Sequence, residues 1–171
     1  MSDNIVVKTM NSVKKIMTAK RAGKSGGFWL VKFAPFRTSW TDIVKAGSFT
    51  IRGVRSAQSR NNLAKMRLGD PVLFYHSQQG LEVVGLLEVA KEAFPDPTAS
   101  DPKWLTVTFA PVRTLPNPVP LAAIRSKPDL AGIGLVTQPR LAVIQLRKNE
   151  FLSIIEMGYR GCQSKDRDAE G

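Results

Sequence analysis

Cysteine and histidine occur once each in the 171 residues, as Cys162 and His76. A single thiol excludes an internal disulfide and argues for a reducing compartment. One imidazole with one thiol also argues against a zinc site, and neither a metal nor a cofactor is expected. No apolar run approaches the roughly 18 residues that a membrane helix needs. The expectation is a soluble, cytoplasmic chain with no membrane partner, nucleoid-associated in a bacterium or nuclear in a eukaryote. Acidic residues are scarce as well, 14 against 25 Lys and Arg, which leaves a net charge of +11.

That charge is spread unevenly. Residues 1–27 hold six cations against Asp3, and residues 159–171 balance to zero, so +6 stays on residues 28–158. A basic patch that survives removal of both ends is what a nucleic-acid binder needs. The first segment reads as a flexible basic extension, with Val6, Met10, Val13 and Met17 on one helical stripe cut off by Gly23, Gly26 and Gly27. Gly23-Lys24-Ser25 has the end of a phosphate-binding loop, but Thr18 stands where that loop requires glycine, so the motif is set aside. Residues 28–158 form one domain, and 159–171 a polar tail.

The densest signal runs from Gly53 to Ser77. Between Arg52 and Arg67 lie five cations (Arg52, Arg55, Arg60, Lys65, Arg67) and no acid, so sequence neighbours cannot neutralise them. Ser56 or Ser59 can cap a helix there, and Leu63 and Met66 supply its buried stripe. Arg60 and Arg67, seven apart, then share a face, with Arg52 and Arg55 ahead of the helix start, where unpaired amides favour phosphate. Gly69-Asp70-Pro71 turns the chain into an apolar strand that ends on His76.

Elsewhere the pattern is of short strands. Phe28 to Pro35 reads as a strand, Trp40 to Ala46 as a helix capped by Ser39 and ended by Gly47, and Ser48 to Arg52 as a strand. The strand ending at His76 and the one beginning at Leu81 make an antiparallel hairpin across Gln78-Gln79-Gly80. Phe94-Pro95-Asp96-Pro97 reads as a loop, Trp104 to Phe109 as a strand of period two, and Leu115 to Leu121 as a rigid proline-rich linker into a helix ending near Ser126. A last strand after Arg140 and a helix stopped by Gly158 close the domain. The class is α+β: a mixed β-barrel of about five to six strands with short helices covering its ends.

Several motifs stand in the order of one known family: F-W-L-V-K-x-x-P, G-V-R-x-x-Q-x-R-N, G-D-x-V-L-F-Y-H-S, K-E-A-F-P-D-P-T, D-P-K-W and R-L-A-V. Residues 28–158 resemble the EVE domain. The resemblance implies a PUA-like fold, related to RNA-binding PUA and YTH domains, and a non-catalytic reader that holds a modified base of DNA or RNA in an aromatic pocket. Position by position, it carries over a nucleic-acid or base-binding role to Lys32, Gly53, Val54, Arg55, Gln58, Arg60, Asn61, Tyr75, His76, Ser77 and Arg140. The basic run adds Arg52 and Arg67. The family's K-S-E-P is here Lys32-Phe33-Ala34-Pro35, and its W-D-G-V-R-N-Y-Q is here Ile51 to Gln58. An indole and a phenol are therefore lost to Ile51 and Ala57, while Arg52 in place of an acid adds a phosphate contact. Phe33, Tyr75 or Trp29 is left to supply a ring. Any base pocket is expected between the end of the 72–76 strand and the basic helix, with His76 or Tyr75 at its wall.

Two other classes compete. A small hydrolase would use Ser77 with His76 as base, but adjacent strand residues point to opposite faces and no acid is placed to orient the imidazole. A protein-interaction module that kept the fold and lost the pocket fits the missing rings, though not the gathered arginines.

Overall fold

The structure, a computed structural model, describes residues 26–160. The N-terminal stripe, the tripeptide at Gly23 and Cys162 lie outside the described residues. Six strands form one sheet in the order β2-β5-β4-β3-β1-β6: β1 (Phe28–Phe33), β2 (Phe49–Thr50), β3 (Pro71–His76), β4 (Glu82–Pro95), β5 (Leu105–Pro120) and β6 (Val143–Leu146). β2 and β6 are its edges, so pairing does not close it into a ring. β1 runs parallel to β3 and antiparallel to β6. The hairpin expected between β3 and β4 is present, with Gln78, Gly80 and Leu81 at positive φ in its turn.

The helices are α1 (Trp40–Ala46), α2 (Ala57–Lys65), α3 (Leu121–Ser126), α4 (Gly134–Thr137) and α5 (Lys148–Arg160). Ser39 caps α1 in a reciprocal capping box with Asp42, and Gly47 ends it at φ +76°. Of the two candidate caps for α2, Ser56 is the one used, its Oγ accepting from the Ser59 amide at 3.3 Å. Ser59 itself is buried.

Period two along the strands gives the sheet two apolar faces. Phe28, Leu30, Leu73 and Tyr75 join α3, α4 and α5 on one side. Trp29, Val31, Val72 and Phe74 join α1, α2, Phe49 and Phe109 on the other. Gly85 in β4 lets the Trp40 indole pack closely against the strand, since a Cβ there would come within 2.3 Å of the ring. Trp40 Nε1 donates to Thr114 Oγ1 at 2.8 Å and fixes that ring.

Four expectations are corrected. Phe94-Pro95 is strand, not loop, and Leu115 to Pro120 continues β5 instead of forming a linker. In both stretches the strand is paired on one side only, and an edge tolerates proline because the missing N–H is not needed by a ladder. Gly158 does not stop α5, which runs to Arg160. Its glycine serves packing: a Cβ would sit 2.9 Å from Leu115. Tyr159 beyond it is buried, so the ordered core reaches past residue 158. The strand expected over Ser48 to Arg52 shortens to Phe49–Thr50. Among the described residues no helix is long and apolar enough to cross a membrane.

Candidate nucleic-acid interface

β1 and β3 are parallel, so their carboxyl ends meet at one end of the sheet, and the segment from Ile51 to Val54 crosses beside them. Between these lies a cavity of about 130 Å³ lined by Lys32, Phe33, Arg37, Arg52, Ser77 and their neighbours, with no acid among the lining residues. At about 30 Å³ per water it holds roughly four waters, the scale of one small planar group and not of an extended ligand.

Lys32 Nζ donates to the Pro139 carbonyl at 2.6 Å, tying β1 to the turn that carries Arg140. Burial lowers the Lys32 pKa from its ordinary value. The Arg37 guanidinium lies over the Phe33 ring at 4.6 Å. Arg52 is exposed at the rim, and Gly53 takes φ +83°, a conformation that side chains other than glycine rarely adopt.

The Gly53 amide donates to Asp96 Oδ2 at 3.0 Å, and Arg55 Nη1 donates to the same oxygen at 3.0 Å. Asp96 Oδ1 accepts from the Thr98 amide and hydroxyl at 2.8 and 2.6 Å. Burial alone would raise this carboxyl, but the hydrogen bonds from Thr98, Gly53 and Arg55 hold it well below the usual carboxylate range. Asp96 is therefore ionised and shapes the segment that lines the cavity. Sequence reasoning missed it, although F-P-D-P-T carried the signal of an aspartate turn closed by threonine.

The sequence-derived residues divide by place. Lys32, Arg52, Gly53, Val54 and Ser77 line the cavity, together with Phe33, Arg37, Ile51 and Gln78. Arg55 is not free of acids, as its local sequence implied, because Asp96 arrives from 41 residues away. Gln58 and Asn61 face a separate open groove with Asn62, Lys65, Gln138 and Gln145. Arg60 packs over the Trp104 ring at 5.7 Å. Arg67 lies beyond the end of α2, donating weakly to the Ala64 and Met66 carbonyls at 3.4 Å, so it does not share a helix face with Arg60. Arg140 is exposed in its turn.

Tyr75 and His76 are not at the cavity wall. Tyr75 is 2% exposed in the core facing α5, and burial raises its pKa. His76 Nε2 accepts from the Trp40 amide at 3.1 Å, acting as an extra cap on α1. That bond needs the neutral ring, and burial lowers the His76 pKa, with Glu82 acting in the opposite direction. Of the three rings that were candidates to line a pocket, Phe33 does. Trp29 is buried with its Nε1 on Asp70 at 3.0 Å. Among the described residues no group of three or more His, Cys, Asp or Glu is placed to hold a metal ion.

A family model described as the EVE domain matches residues 27–157. Thymocyte nuclear protein 1 of Mus musculus is 31% identical over 194 residues, covering 91% of this chain and 85% of its own. A solved structure of an Agrobacterium tumefaciens protein is similar at TM-score 0.75 and 40% identity, covering 77% of this chain and 92% of that one. The crystal structure of human THYN1 protein in complex with 5-methylcytosine containing DNA is similar at TM-score 0.68 and 28% identity, covering 77% of this chain and 97% of that one. With the motifs in order, the mixed sheet and its helices in place, and a family match across nearly all of the described residues, the chain belongs to the EVE domain family.

Proposed function

We propose that this domain is a non-catalytic nucleic-acid-binding module that takes one modified base of DNA or RNA into the cavity at the ends of β1 and β3, with the phosphates held outside by arginine. The observation that carries the reading is the cavity itself: one aromatic face, Phe33, and three cations, Lys32, Arg37 and Arg52, with no acid among its lining residues. The DNA-bound human relative supports the ligand class.

The energetics suit that division. Extruding a base costs a few kcal/mol, and stacking on an aromatic ring contributes about 1–3 kcal/mol. The planar Arg37 guanidinium already lies over Phe33, in the position a stacked base takes. A bound base replaces it there, and Arg37, exposed and without an ion pair among the described residues, turns to phosphate. Phosphate contacts then position the strand while the cavity reads the base. The hydrolase alternative loses support because His76 Nε2 already accepts from Trp40.

The test is a titration of oligonucleotides that differ by a single 5-methylcytosine, followed by anisotropy. Phe33→Ala removes the preference for the modified base. Arg52→Ala weakens both oligonucleotides equally and flattens the log-log salt slope by about 0.7 to 0.9. Equal affinity for both oligonucleotides, unchanged by Phe33→Ala, overturns base reading.

A further inference from the structure

We infer that Trp104, flanked by Arg60 and Lys103, is a second nucleic-acid contact: a stacking platform for a nucleotide that flanks the one in the cavity. The inference rests on the proposed function and names a second part of the same interface. Three tryptophans occur in the chain. Trp29 and Trp40 are buried, at 1% and 6% exposure, whereas Trp104, just ahead of β5, is only partly covered.

Three cations surround that one indole. Lys103 Nζ lies 5.1 Å from the ring centroid, and the Arg60 and Arg55 guanidinium carbons lie 5.7 and 5.9 Å from it. A single significant contact of this kind occurs roughly once per 70–80 residues, so three on one ring is a gathering of charge and not incidental packing. Arg55 is committed to Asp96. Among the described residues Lys103 pairs with the exposed Asp101 alone, at 3.5 Å with both side chains about half open to water, a pairing worth little. Arg60 makes no ion pair within 4 Å among the described residues; besides the indole it donates to the Asn61 amide oxygen at 3.3–3.4 Å, and it lies near enough to Asp101 to help lower that carboxyl's pKa. Two cations are thus available to an incoming anion beside an aromatic face that is open in part, the combination that holds single-stranded nucleic acid.

The platform is also fixed relative to the cavity. The Asp96 amide donates to the Trp104 carbonyl at 2.8 Å, while the Asp96 side chain accepts from Gly53, a lining residue of the cavity. One buried aspartate therefore holds both contacts, and a strand with its base in the cavity meets the indole with a neighbouring nucleotide.

The tryptophan emission of the full chain is followed while oligothymidylate, which has no modified base, and a single-5-methylcytosine oligonucleotide are added. Both are expected to quench it. Trp104→Phe removes the quenching, because Trp29 and Trp40 are buried. Trp104→Ala weakens both ligands by about five-fold or more, and Arg60→Ala and Lys103→Ala each lower the salt slope on single strands by about 0.7. Binding without quenching in the unmodified chain, or unchanged slopes in the folded Arg60 and Lys103 variants, overturns the platform. If Phe33→Ala abolishes base preference while Trp104→Ala binds normally, the platform falls and the cavity stands. If Trp104 quenches and its loss weakens binding but no modified base is preferred, the platform stands and the cavity reading falls.

Discussion

Arg55 Nη1 and Asp96 Oδ2 meet at 3.0 Å across 41 residues of sequence, on the same carboxylate oxygen that accepts from the Gly53 amide. This contact converts a loop and a helix entry into one rigid piece. It also divides the basic run: Arg55 is paired with Asp96, while Arg52 and Arg60 make no ion pair among the described residues.

Asp96→Asn should therefore lower stability, and its effect depends on pH. The carboxyl is held below its ordinary value of about 3.9 in the folded state. Its contribution is fully present above that value and is lost as pH falls through the native pKa. Urea midpoints measured from pH 5 downward should fall below about pH 4 in the unmodified chain, and less steeply in Asp96→Asn. At neutral pH the substitution should cost about 1–3 kcal/mol, the range for disturbing a buried hydrogen-bonded group.

His76→Ala should act on stability and not on base choice. It removes the acceptor for the Trp40 amide, at a cost of about 1 kcal/mol. Because the folded state lowers the His76 pKa below its unfolded value of about 6.5, the contribution is complete above that pH and lost as pH falls through the native pKa. Denaturation between pH 5 and 8 should show this decline in the unmodified chain and not in the variant. A changed preference between modified and unmodified oligonucleotides would place His76 in the site after all.

Gly85→Ala tests the packing of α1 on the sheet. The new methyl would meet the Trp40 indole at 2.3 Å, and Trp40 cannot retreat without breaking its bond to Thr114. Overpacking of this kind costs about 1–3 kcal/mol, read as a lowered denaturation midpoint. Gly132→Ala, where nothing lies within 4 Å of the added carbon, is the matched control.

Tyr159 decides where the core ends. It is buried, but among the described residues its hydroxyl has no hydrogen-bond partner, so Tyr159→Phe should be neutral or stabilising. A chain ending at Gly158 should instead be less stable than one ending at Arg160 by about 1.5–3 kcal/mol, the value of burying one large side chain. Equal melting temperatures for the two truncations would show that the ring contributes nothing to the core.

Sequence alone determined the features that close within a few residues. The Ser39 cap, the pair of serines from which the cap of α2 is drawn, the Gly47 end of α1, the β3–β4 turn and the alternation from Trp104 to Phe109 are local, because a cap or a pleat depends on dihedrals and neighbours three or four positions away. The family motifs were legible in the same way, as was the basic run. The structure alone decided whatever depended on a distant partner. It set Asp96 against Arg55, withdrew His76 to cap α1, buried Tyr75, and brought Phe33 and Arg37 to the cavity. The prolines of β4 and β5 mislead for the same reason: whether a missing N–H matters depends on whether another strand lies beside it, and the chain order does not specify that. Gly158 likewise reads as a stop because glycine ends helices when only backbone counts, whereas here Leu115, 43 positions earlier in the numbering, occupies the space a side chain would need.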